Sequence, residues 1–87
     1  ARKYIYKTNH IVYFEYQSAS RAWSQGDNIC TVPSGFLPSV NHYYLNGMNN
    51  NKVANIQVEK NTGLVTLNQL ETVTGNSRIY INGWWYV

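Results

Sequence analysis

The sequence predicts an all-β domain, a small antiparallel β-sandwich or jelly-roll-like fold, and three observations carry the prediction. Aromatic residues make up 15% of the 87 residues, chiefly eight tyrosines and three tryptophans, while the helix formers Ala, Glu, Lys and Leu are scarce. Seven segments rich in β-branched and aromatic residues recur at short intervals, separated by Gly, Asn, Asp and Pro. No segment keeps a helical period.

The first two segments are "KYIYK" (Lys3 to Lys7) and "HIVYFEYQ" (His10 to Gln17), broken at Thr8 and Asn9. In the second, Val12, Phe14 and Tyr16 share one face and Ile11, Tyr13, Glu15 and Gln17 the other, with the first face expected inside. "SQGDN", around Gly26 and Asp27, reads as a turn before the short strand "NICTV". The stretch "PSGFLPS" then packs two prolines and a glycine into a stiff corner. Pro33 removes a ladder donor and ends the strand. Gly35 is expected at positive φ, and Pro38 holds Leu37 extended. Phe36 is expected as a buried peg where the chain passes from one sheet to another, so that Pro33, Gly35, Phe36 and Pro38 form a structural corner.

"VNHYYLNG" (Val40 to Gly47) reads as the next strand and "MNNN" (Met48 to Asn51) as a polar loop. "KVANIQVEK" and "LVTLNQL" form a hairpin about "NTG" (Asn61 to Gly63). After "TGN" (Thr74 to Asn76), the last strand puts Ile79, Ile81, Trp85 and Val87 on one face and Tyr80, Asn82, Trp84 and Tyr86 on the other.

Composition narrows the function. With 44% apolar and 13% charged residues, the chain is too apolar for a disordered segment and of a size for one domain, residues 1–87. Seven Lys/Arg stand against four Asp/Glu, and Arg2, Lys3 and Lys7 crowd one end. Nucleic-acid binding, which favours a basic stripe, is not expected. Neither a membrane-length apolar run nor a signal peptide is visible. The single cysteine, Cys30, allows no internal disulfide and no cysteine-based zinc site, and its strand setting suggests a buried structural thiol. Together with the absence of any Asn-x-Ser/Thr acceptor site, this suggests folding in a reducing compartment.

Catalytic signatures are lacking. Glu15, Asp27, Glu59 and Glu71 offer no evident facing pair. His10 and His42 lie on separate segments and read as ordinary surface or packing residues, and no nucleophile motif surrounds the serines. The sequence therefore predicts a non-enzymatic domain with no cofactor and no metal site. Its chemical resource is aromatic. "HYYLNG" and "NGWWYV" set Tyr or Trp beside Asn and Gly, and alternation turns one of Tyr43/Tyr44 and one of Trp84/Trp85 away from the core. Flat apolar rings beside amides suit sugar stacking or a protein interface, which makes His42, Tyr43, Tyr44, Asn82, Trp84 and Trp85 the candidate binding residues.

The run "GDNICTVPSGFLPS" is similar to a pattern in C-terminal head domains of tail fibre, baseplate and minor structural proteins of phages of Gram-positive bacteria. The pattern is a Gly-Asp turn, a short apolar strand, then Pro-x-Gly-aromatic-x-Pro-Ser, here Gly26, Asp27, Ile29, Val32, Pro33, Gly35, Phe36, Pro38 and Ser39. Downstream, Tyr43-Tyr44, Ile56 with Val58, Gly63, Ile79, Ile81 and Gly83 continue the resemblance, which spans Ser20 to Val87. It departs at Leu37, where many relatives carry Arg, so no role of that arginine carries over. The resemblance implies a compact β-sandwich, commonly a homotrimer, that ends a longer fibre or arm in the virion. Such domains bind a host-surface saccharide or dock another baseplate or tail protein. A chain that begins abruptly and ends in an apolar strand accords with that expectation. The alternative is a stand-alone carbohydrate-binding module of a cell-wall-acting protein.

Overall fold

The computed structural model describes residues 2–49, 52–70 and 75–87. They form seven strands, β1 (Arg2–Thr8), β2 (Ile11–Gln17), β3 (Asn28–Thr31), β4 (His42–Asn49), β5 (Lys52–Glu59), β6 (Leu64–Leu70) and β7 (Ile79–Tyr86). There is no helix among the described residues, so none is long and apolar enough to cross a membrane. The strands make one antiparallel sheet in the order β1-β2-β7-β4-β5-β6-β3. This sheet curls over its own inner face into a sandwich-like domain. The shortest dimension, 17 Å, holds two β-layers about 10 Å apart and no third layer.

Alternation decides which face closes inward. Val12 and Phe14 of β2, Ile79, Ile81 and Trp85 of β7, Ala54, Ile56 and Val58 of β5, and Val65 and Leu67 of β6 are all buried in one cluster. Their neighbours in sequence face solvent or the rim. The inward face expected of β2 is therefore present, the face of β7 that carries Ile79, Ile81 and Trp85 is the buried one, and Tyr16 and Val87 are half-buried at the margin.

Among the described residues, strand pairing joins the β1-β2-β7 half to the β4-β5-β6-β3 half between β4 and β7, through Gly47–Ile81, Met48–Tyr80 and Asn49–Ile79. Gly47 is needed there, since a Cβ would stand 2.9 Å from the Tyr80 carbonyl oxygen. Beyond this contact the wedge between the strands is filled by side chains, with Leu45 lying over Gly83 and the Tyr43 ring 6.1 Å from that of Trp85. Met48 and Asn49 thus belong to a strand, which corrects the expected loop from Met48. Asn50, Asn51, Thr74 and Glu71 lie outside the described residues. Asn49 passed as loop because its side chain is polar, yet it is buried and its amide oxygen accepts from the Ser77 hydroxyl.

The proline corner also differs from expectation. It does not carry the chain between separate sheets, because both halves belong to one sheet; it spans the open end between them. The Val32 amide donates to the Gly63 carbonyl (2.7 Å) in the β5–β6 turn, and the Ser39 amide donates to the Tyr86 carbonyl (2.9 Å) at the end of β7. Pro38 is the fully buried plug, whereas Phe36 is half-buried. Phe36 instead contributes its carbonyl, which accepts from the Trp85 indole at 2.8 Å. Gly35 is exposed, is not among the positive-φ glycines, and a Cβ there would meet nothing within 4 Å. Gly35→Val should therefore leave stability within about 0.5 kcal/mol of the parent in urea unfolding, reversing the effect expected of a positive-φ glycine.

The free edges, β1 and β3, are bridged by side chains. Lys3 donates to the Thr31 carbonyl (3.3 Å) and Lys7 to the Gly35 carbonyl (3.1 Å). These two lysines, on the same side of β1 as Ile5, also blunt the edge against pairing with another chain. Cys30 sits half-buried at this seam, and burial pushes its thiol up to about 11 from an ordinary 9.0, with Lys3 opposing the shift. Two consequences follow from the thiolate's disfavour. At pH 8 the folded thiol should react with a disulfide reagent about a hundredfold more slowly than the unfolded one. Since the folded value is the higher, stability from this group is complete below pH 9 and falls as pH rises toward 11. Urea midpoints across that window check the sign.

Candidate binding face

The outer face of β1, β2 and β7 is an ordered grid. Register places Tyr6 opposite Tyr13 and Tyr13 opposite Trp84; Tyr4 opposite Glu15 and Glu15 opposite Asn82; Arg2 opposite Gln17 and Gln17 opposite Tyr80. The two-residue hairpin turn at Asn9-His10, with Asn9 at φ 55°, sets the first of these alignments. Successive rows lie about 6.7 Å apart along the strands. An aromatic row, a row of mixed Tyr, carboxylate and amide, and a row with a cation, an amide and a ring therefore follow one another.

Tyr6 and Tyr13 stack at 5.0 Å with their planes 20° apart, and Trp84 meets Tyr86 edge-on at 5.3 Å. The Arg2 guanidinium lies 5.6 Å from the centre of the Tyr4 ring. Between the rows are two hollows. The larger, about 550 Å³, is lined among others by Arg2, Tyr4, Glu15, Asn46, Tyr80 and Asn82. The smaller, about 330 Å³, is lined by Tyr4, Tyr6, Tyr13, Glu15 and Asn82 together with Phe14 and Gly83. Tyr4, Glu15 and Asn82 border both.

The structure separates the aromatic pairs that alternation left open. Trp84 is 47% exposed and Trp85 wholly buried. Tyr44 faces out, and Tyr43 is half-buried against the core. Trp85 and Tyr43 are thus packing residues, which removes them as surface contacts; each is the member whose parity matches a neighbouring core residue. Asn82 lines both hollows; Trp84, on the same face of β7 and opposite Tyr13, borders neither. Tyr44 and His42 are exposed on β4 but border neither hollow. Tyr4, Tyr6, Tyr13, Tyr80 and Glu15 escaped the sequence-based set. The signal lay in parity: Tyr13 and Glu15 alternate with buried Val12 and Phe14, and a tight β1–β2 hairpin sets Tyr4 and Tyr6 beside them.

Asp27 accepts from the Ser24 amide (2.8 Å) and from Arg21 (3.3 Å), closing the turn before β3. Arg21 also covers the Trp23 ring at 4.2 Å. Among the described residues no three His, Cys, Asp or Glu side chains gather as a metal site. What the outer face offers is flat rings, amides, the Arg2 guanidinium and the Glu15 carboxylate, a set suited to stacking and hydrogen bonding. No protein-family profile, curated protein or solved structure matches the chain.

Proposed function

We propose that this domain is a non-enzymatic adhesion head of a phage tail or baseplate protein, which recognises a saccharide on the surface of a Gram-positive host. The observation that carries the reading is the grid of exposed tyrosines and Trp84 around Glu15 and Asn82, with its two hollows. Pyranose rings present apolar C–H faces to aromatic rings and hydroxyls to amides and carboxylates, and the grid supplies both. The resemblance of the Gly26–Ser39 run to phage tail proteins supports the biological setting, with a homotrimer in the virion as the expected assembly.

Binding of the fluorescently labelled domain to purified Gram-positive cell wall tests this reading. The expected result is saturable binding that soluble wall glycans displace. Binding insensitive to glycans but lost after protease treatment of the wall would overturn it. The mass in solution, by light scattering during size-exclusion chromatography, then separates settings. About three times the 10.0 kDa chain mass accords with a fibre head and closed cyclic symmetry; a glycan-binding monomer accords with a free carbohydrate-binding module.

A further inference from the structure

We propose that the two hollows are adjacent subsites for one uncharged oligosaccharide, whose chain runs along the strand direction from the Tyr80 row to the Tyr6–Tyr13 row. The inference rests on the saccharide reading of this face and adds the length, direction and charge class of the ligand. Continuity is the first argument. Tyr4, Glu15 and Asn82 form one cross-strand row and border both hollows, so this row is a shared wall rather than a divide between unrelated pockets.

Each hollow also has its own aromatic surface. Tyr80 lies only on the larger, and the stacked Tyr6–Tyr13 pair only on the smaller. Between them Glu15 is placed to accept hydroxyl protons from sugars on either side, while the Asn82 amide can donate and accept. A single sugar cannot reach both aromatic surfaces, which stand two rows, or about 13 Å, apart. An oligomer can.

Charge decides the class. Arg2 and Glu15 are the charged residues of the larger hollow, one of each sign, and Glu15 is the charged residue of the smaller. Lys3 and Lys7 belong to the opposite parity of β1 and reach carbonyls at the seam. A polyanionic chain would thus meet one guanidinium and a carboxylate at the centre of its path, an arrangement that disfavours it. The polar middle row equally disfavours an apolar protein segment.

The test is calorimetric titration of the domain with linear glucose and N-acetylglucosamine oligomers, from monosaccharide to hexasaccharide, and with anionic galacturonate oligomers of the same lengths, with NMR shifts mapping the contacts. Affinity should rise at least about tenfold from monosaccharide to trisaccharide as the second subsite fills, then level off. Tyr13→Ala should abolish that gain, so that trisaccharide binds no more tightly than monosaccharide. Tyr6→Ala, at the exposed sheet edge, is a second probe should Tyr13→Ala not fold. Affinity independent of chain length, or binding confined to anionic glycans, would overturn the two-subsite assignment and leave a saccharide-binding head standing. No shift on the outer face with any glycan, neutral or anionic, overturns both.

Discussion

Gly63→Ala is expected to destabilise the domain by about 3 kcal/mol or more, enough to lower its melting temperature by over about 10 °C. Gly63 has φ 73°, a region costly for any residue with a Cβ. It is also hemmed in. A Cβ would drive into the Val32 carbonyl oxygen and stand 3.1 Å from Cδ2 of Leu37. The same residue donates its amide to Glu59 (2.8 Å) and accepts from Val32 (2.7 Å), so neither side can withdraw without losing a backbone bond. Gly63→Asn separates the two costs. Asn tolerates positive φ, so it should recover stability if strain dominates; if the collision with Val32 dominates, as expected here, it will melt with the alanine variant. Melting of Gly63→Ala within about 5 °C of the parent would sink the argument, given a total stability of order 5–10 kcal/mol for a domain this size.

Gly35 and Gly63 show what the sequence conceals. Both sit in turns beside apolar residues, and composition alone makes either a plausible positive-φ site. The distinction arises where the corner meets the β5–β6 turn, a contact between positions far apart in the chain. Within strands the reading was easier, because one buried face imposes a period of two. Thus Val12 and Phe14 are legible as an inward pair, and Ile79, Ile81 and Trp85 as residues of one face, although alternation alone does not say which of Trp84 and Trp85 points inward. Burial of the polar Asn49 ran against hydropathy, so the end of β4 read as loop. Closure through Gly47 and the Tyr80 carbonyl was also hidden, since nothing local announces which strands will touch.

The candidate face is legible in part, for a related reason. Adjacent aromatic pairs draw the eye, and Trp84 and Tyr44 are indeed exposed. The face itself, however, comes from cross-strand register: Tyr6, Tyr13 and Trp84 are far apart in sequence and adjacent only once β1, β2 and β7 align. Parity along β2 hinted that Tyr13 and Glu15 faced out, but only strand order puts Asn82 beside them.

Trp85 provides the second large effect. It is wholly buried, with its ring 5.6 Å from that of Phe14 and 6.1 Å from that of Tyr43, where it fills the wedge between β7 and β4. Trp85→Ala should cost about 3–5 kcal/mol through lost burial and the cavity left behind, leaving little folded domain at 37 °C. The informative variant is Trp85→Phe. It keeps a ring in the wedge but removes the indole donor to the Phe36 carbonyl, at a cost of about 1–2 kcal/mol. Because that bond ties the corner to β7, amide exchange at Ser39 should accelerate more than exchange at core amides such as Ile56. Uniform acceleration across the domain would show that Trp85 acts only by filling space. Glycan affinity of the folded Trp85→Phe protein should equal that of the parent, since the indole faces the interior while Trp84 faces outward. A fall in affinity with the melting curve intact would instead return Trp85 to the binding face.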